Sequence, residues 1–229
     1  TQYTTLDGLL DTETNLVSAD PSGGAWVSYS RVNGASRFDG VKWTHFNRDR
    51  GGLPTQPVRA LHVDAKERAW LGYDLSGIFM YDGMSWAHFT HDAVFSAAPL
   101  HVAVGLDGTK WVSTRAGAVA VSDSGYRVYT ADDGLAGNTV RMTGIAADGA
   151  VSFCTSTGVS RLRNNAWTTW RKEDGLASSN VFSLAFAPDG AVWFATDRGV
   201  SRFDGASWTS YADTDGLIAK KSKSVAVDG

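Results

Sequence analysis

Four polar side chains in this chain could do chemistry from the middle of apolar strands. His62 and His101 stand on inner strands made mostly of Val, Leu and Ala, and Arg59 and Arg141 share one repeat position with Leu100 and Phe182. Polar residues that break an apolar pattern are informative, because burying them requires a compensating partner. Each therefore has two readings, a hydrogen-bonded structural group or a ligand contact, and His62 or His101 would be the base if the protein were a lyase or hydrolase. A second set, Arg31, Asn33, Asp74, Arg115, Asp197 and Arg198, falls in short turns. For these the alternatives are solvated turn residues or the rim of a binding site.

The constellations an enzyme would need do not emerge. The only glutamates are Glu13, Glu67 and Glu173, and there is no His-x-His, paired-carboxylate or nucleophile–base arrangement. General-base work needs partners within hydrogen-bond reach. Asp132-Asp133 and Asp213-Asp215 could offer oxygens to calcium, but their spacing matches no loop with a defined ligand order. The expectation is no metal and no cofactor. His45 and His88 share a position with Val128, Thr169 and Ser210 and read as surface residues. Cys154 is the single cysteine, which excludes an internal disulfide. Its position holds Ser28, Gly72, Ser113 and Ala195 in the other copies, so a small, buried, inert thiol is expected.

A repeat positions these residues. The stretch Ser179–Tyr211, SNVFSLAFAPDGAVWFATDRGVSRFDGASWTSY, reads as four short strands joined by turns at Asp189-Gly190, Asp197-Arg198-Gly199 and Asp204-Gly205. Asp-Gly between β-rich runs is a strong hairpin signal, because glycine takes the positive φ that tight turns need. The second-strand tryptophan recurs at Trp26, Trp70, Trp111 and Trp193, with Ser152 in the fourth copy, at spacings of 44, 41, 41 and 41 residues. Fourth-strand aromatics follow at Trp43, Trp86, Tyr126, Trp167 and Trp208. A connector, Asp-Gly-Leu or a relative, precedes the copies at Asp7-Gly8-Leu9, Gly51-Gly52-Leu53, Asp133-Gly134-Leu135, Asp174-Gly175-Leu176 and Asp215-Gly216-Leu217. The third copy instead has Asp92-Ala93-Val94-Phe95.

Five complete copies span about 10–46, 54–89, 97–129, 137–170 and 178–211, flanked by partial strands at 1–5 and 212–229. An unbroken repeat over 229 residues argues for one domain. Thr1 falls in mid-pattern, so a processed or excised piece is expected. The net charge of −3 leaves no electrostatic footprint for nucleic acid or an anionic membrane. No apolar run approaches the ~20 residues of a membrane-spanning helix. With 25 glycines, 5 prolines and 20% charged residues, the composition is one of many tight turns and buried strands.

A four-stranded meander cannot bury both faces alone, and radial stacking of copies does so, which makes the expected fold an all-β propeller of four-stranded antiparallel blades. The motif of Asp-Gly-Leu, then Asn138-Thr139-Val140, then D-G-x-x-W, then G-V-S-R-F-D-G-x-x-W-T-x-Y resembles the two-component regulator propeller repeat. That resemblance implies an extracytoplasmic sensor region or a secreted bacterial protein, hence a periplasmic or extracellular location. In a propeller the inner-strand starts, connectors and second-to-third-strand turns share one face. Arg31, Asn33, Arg59, His62, Asp74, His101, Arg115, Arg141, Asp197 and Arg198 are therefore the candidate ligand contacts. The reading is non-enzymatic recognition of a small molecule, glycan or protein, with self-association through exposed half-blade edges. The alternatives are a lyase or hydrolase at the channel mouth, and a structural scaffold or an excised or engineered repeat fragment.

Overall fold

The structure, a computed structural model, describes residues 2–74, 76–89, 97–218 and 221–228. The Asp92-Ala93-Val94-Phe95 departure from the connector lies outside the described residues, as do Thr1, Leu75, Lys220 and Gly229. Five four-stranded sheets follow one another, each in simple chain order. The first holds β1 (Thr14–Ala19), β2 (Ala25–Tyr29), β3 (Ala35–Phe38) and β4 (Trp43–Phe46). The second holds β5 (Val58–Val63), β6 (Ala69–Tyr73), β7 (Gly77–Tyr81) and β8 (Trp86–Phe89). The third holds β9 (Pro99–Val104), β10 (Lys110–Thr114), β11 (Gly117–Ser122) and β12 (Gly125–Tyr129). The fourth holds β13 (Val140–Ile145), β14 (Val151–Thr155), β15 (Val159–Arg163) and β16 (Ala166–Trp170). The fifth holds β17 (Val181–Phe186), β18 (Val192–Thr196), β19 (Gly199–Phe203) and β20 (Trp208–Tyr211). These are the blades of a β-propeller.

The chain divides within β9 into two compact units, Thr1–Val102 and Ala103–Gly229. In the first unit Trp26 stacks on Phe46 of its own sheet at 5.2 Å and meets Trp86 of the second sheet edge-on at 6.2 Å. In the second unit Trp111 stacks on Tyr129 at 5.5 Å and presents its edge to Phe153 of the fourth sheet at 5.4 Å. The same two repeat positions therefore provide the sheet-to-sheet contact in both units. Cys154 is fully buried, as expected, and burial pushes its thiol well above the usual range, so it stays protonated and inert.

The connectors are built to one plan. Asp7, Asp133, Asp174 and Asp215 each accept the backbone N–H three residues earlier, at 2.7–2.9 Å, closing a 3-10 turn. The leucine that follows is buried at Leu9, Leu135 and Leu176. In the second unit the next amide then donates to a third-strand serine, Ala136 to Ser160 at 2.6 Å and Ala177 to Ser201 at 2.8 Å. Ser201 also contacts Ser210, whose hydroxyl donates to the Gly175 carbonyl at 2.8 Å. The serine of the G-V-S-R motif is thus the anchor for the connector.

The partial strands at the ends are a correction. Residues 2–4 lead into a 3-10 turn at Thr5–Asp7, and residues 221–228 carry no strand. Ser222 donates its N–H to the Thr196 carbonyl at 2.9 Å, but a strand is defined by its ladder and neither segment forms one among the described residues. Their side chains nonetheless keep the repeat's places. Tyr3 lies 5.0 Å from Phe38 and 5.9 Å from Trp43, much as Trp170 lies 5.1 Å from Phe203 and 5.9 Å from Trp208. Val225 donates its N–H to Ser183 Oγ at 3.0 Å, as Leu184 does to Met142 Sδ at 3.5 Å.

Two glycines separate backbone conformation from packing. Gly175 (φ +118°) and Gly205 (φ +101°) both sit in the left-handed region, but a Cβ on Gly175 would lie 2.6 Å from Trp208 while one on Gly205 would meet nothing within 4 Å. Gly205→Ala is expected to cost about 1–3 kcal/mol from backbone strain alone. Gly175→Ala is expected to cost a further ~1–3 kcal/mol from the clash. Urea unfolding midpoints of the two variants check this ordering.

Candidate functional site

The inner strands share a local irregularity that aims the candidate residues. The register shifts between Thr14 and Leu16, Val58 and Ala60, Val140 and Met142, and Val181 and Ser183. Asn15, Arg59, Arg141 and Phe182 are thus the extra residues of β-bulges, which re-aim a side chain away from the ladder. Bulges explain how two arginines can stand in an apolar strand. Each leaves the pleat where its neighbours stay in it.

In the second unit Arg141 Nη1 donates to the Val181 carbonyl of the next sheet at 3.0 Å and to Thr155 O at 3.3 Å. Its guanidinium lies 4.7 Å from the Phe182 ring centre, and Lys221 Nζ lies 5.3 Å from the same ring. Burial draws the Arg141 pKa down, Asp197 opposes this, and Arg115 adds like-charge repulsion. Asp197 and Arg115 are therefore each within electrostatic reach of Arg141. Arg115 and Arg198 are exposed.

Asp197 is held by Asn180 twice. Its N–H donates to Asn180 O at 3.3 Å, and Asn180 Nδ2 donates to Asp197 Oδ2 at 3.0 Å. The Ser178 hydroxyl and the Asn180 amide hold its carboxyl below the usual carboxylate range against the opposing effect of burial. Asp197 Oδ1 and Asn180 Oδ1 are both buried and accept no hydrogen bond among the described residues. Unpaired buried acceptors are costly and rare.

In the first unit the candidates fall into three separate pairs. Arg59 Nε contacts Asp74 Oδ2 at 2.8 Å, leaving Asp74 Oδ1 buried without a partner among the described residues. Arg31 pairs with Glu13 at 2.7 Å with both side chains largely exposed, and Asn33 is exposed beside it. His62 and His101 face each other with ring centres 6.2 Å apart. Burial, reinforced by His62, pushes His101 down to about 3. Burial also lowers His62, although Asp64 opposes it. Both rings are accordingly neutral at pH 7. His45, expected at the surface, is half-buried instead and closes a chain in which Tyr29 donates to Ser36 Oγ at 2.7 Å and Ser36 meets His45 Nδ1 at 2.8 Å.

Asn180, Ser178 and Phe182 belong to the cluster and were missed from sequence. Asn180 precedes a strand start and Asp197 sits in a turn 17 residues on. Only the β17–β18 register brings them together, so residue type alone carried no signal.

Residues 175–198 match the family model described as two component regulator propeller. No curated protein sequence matches the chain. Solved structures with the same fold include the extracellular domain of a protein described as a hybrid two component system from B. thetaiotaomicron, with TM-score 0.76 and 18% identity over 93% of this chain and 30% of that one. PorZ, a surface component of the type-IX secretion system of Porphyromonas gingivalis, has TM-score 0.73 and 16% identity over 94% of this chain and 36% of that one. Virginiamycin B lyase from Staphylococcus aureus, in an inactive form with quinupristin, has TM-score 0.73 and 17% identity over 89% of this chain and 72% of that one. The chain thus spans about a third of the first two proteins. At these identities the likeness is one of fold.

The imidazole pair makes stability pH-dependent in a defined direction. An unfolded histidine titrates near 6.5, whereas His101 in the fold titrates near 3, so the unfolded state binds more protons between those values. Stability must then rise with pH across that window and flatten above it. The turn carboxylates, whose folded pKa values lie below 3.8, lose their contribution only as pH falls below that value. Unfolding free energies should therefore decrease as the pH is lowered from 6.5 to 3.8 in the natural protein and decrease less in His101→Asn.

Proposed function

We propose that this propeller is a non-enzymatic recognition module of an extracytoplasmic protein, with its ligand held by the second unit's turn cluster. The observation that carries the reading is that the hydrogen-bonded side chains of Asp197 and Asn180 each keep a buried acceptor, Oδ1, that the described residues leave without a donor. Arg115 stands exposed on the same cluster and makes no hydrogen bond or ion pair among the described residues. Two acceptors and an open guanidinium, each within electrostatic reach of or bonded to the group around Arg141, suit a ligand carrying an ammonium or hydroxyl donor together with a carboxylate. Arg141, already bonded to two carbonyls, shapes the cluster from below. The sensor-type neighbour, an extracellular domain, supports the location.

The test is a thermal-shift screen against amino acids, amino sugars, oligosaccharides and short peptides. A ligand at ~100 times its Kd stabilises by about 2.7 kcal/mol. Asp197→Ala and Arg115→Ala should each abolish the response, and Arg31→Ala should leave it unchanged. A hit that survives both cluster variants, or silence across the panel, overturns the assignment.

A second reading, a lyase using His62 or His101 as base, draws on the neutral imidazole pair and on the fold shared with virginiamycin B lyase. Turnover of quinupristin that disappears in His62→Ala and His101→Ala would replace the recognition reading.

A further inference from the structure

The fourth sheet lacks the tryptophan that the other four copies carry on their second strand, and Ser152 takes its place. In every other copy this ring stacks on the aromatic at the end of the fourth strand. Trp26 lies on Phe46 at 5.2 Å, Trp111 on Tyr129 at 5.5 Å and Trp193 on Tyr211 at 5.7 Å, all within 28° of parallel, and Trp70 lies on Phe89 at 5.6 Å and 32°. The fourth copy keeps the platform, Trp170, and lacks the ring that should cover it.

The missing ring changes what lines the space between the sheets. Between the fourth and fifth sheets lies a cavity of about 480 Å³ whose walls include Ser152, Trp170, Phe194 and Phe203, with Arg161 also lining it. The comparable cavity between the third and fourth sheets has the same volume, about 480 Å³, but is walled by Trp111 itself, and neither Tyr129 nor Phe153 reaches its lining. Those two residues are the counterparts of Trp170 and Phe194. Without the tryptophan the cavity extends inward to the layer that the ring normally seals. Its volume is within the ~300–1,000 Å³ typical of small-molecule sites, which pair aromatic walls with a few polar groups, here Ser152, Arg161 and Asp148.

We propose that this cavity binds a planar aromatic ligand of about the size of an indole, seated where the other copies place their own tryptophan. The ligand stacks on Trp170 as Trp26 stacks on Phe46, and meets Phe203 as Trp26 meets Tyr81 at 5.8 Å. Arg161 pairs directly opposite Ser152 in the β14–β15 register and is held by Asp148 at 3.2 Å, which puts a cation at the border of the site. The repeat thus defines the shape of its guest, a ring system with the outline of a tryptophan side chain. The site is separate from the turn cluster and does not depend on it.

The experiment is calorimetric titration of the whole chain with indole, together with the thermal midpoint at increasing indole concentration. Saturable binding with one indole per chain and a rising midpoint are expected. Ser152→Trp, which supplies the ring covalently, should raise the midpoint without ligand and weaken indole binding at least tenfold. Ser152→Leu, a smaller filling of the same space, should weaken binding as well and guards against misfolding of the larger variant. Absence of saturable binding up to the solubility of indole overturns the proposal, as does binding of undiminished strength in a folded Ser152→Trp or Ser152→Leu protein.

Discussion

The structure depends on large aromatic rings packed between neighbouring sheets. A four-stranded antiparallel sheet has two faces, and one sheet by itself can bury neither. Here the second strand of a sheet carries a tryptophan and the fourth strand ends in an aromatic, and both face the aromatics of the following sheet. Trp26 and Phe46 meet Trp86, and Trp111 and Tyr129 meet Phe153 and Trp167. Aromatic pairs at these distances and tilts add to the area they bury. Burying so much ring surface is possible because the backbone polar groups are satisfied within each sheet.

The rest of the repeat serves that packing. Connector aspartates close a turn that delivers a leucine beneath the aromatic layer, and the glycine beside each lies so close to the next fourth-strand tryptophan that no side chain fits at Gly134 or Gly175. Arginines of the third strand tie back to the first hairpin, Arg37 to Asp20, Arg161 to Asp148 and Arg202 to Asp189. Residues that look like a functional signature in the sequence are therefore mostly turn formers and clips. The chemistry is left to positions where the copies differ from one another.

Those differences are of two kinds. Some add a polar group to an apolar position, as Arg141 and His101 do, and the fold absorbs them with a bulge, a carbonyl or a second ring. Others remove a group the repeat expects, as Ser152 does, and leave space. The first kind yields charge and orphaned acceptors at the turns, while the second opens an inter-sheet cavity onto the aromatic layer. Both arise because packing constrains the repeat strongly on average and only loosely at any single copy.

The sequence by itself determined the strands, the turns, the number of copies and the fold, because periodic tryptophans and Asp-Gly turns report local geometry and burial directly. It also marked Arg59 and Arg141 as unusual, since a charge in an apolar column is visible without coordinates. Which partners they take was decided by tertiary structure. Arg59 meets Asp74 across the first hairpin pair, whereas Arg141 bridges to the carbonyl of Val181, forty residues away. The pairing of Asp197 with Asn180, the facing of His62 and His101, and the depth of the cavity at Ser152 depend on strand register and on the neighbouring sheet. A side chain's type sets what it can bond, and only the packed sheets set what comes within reach.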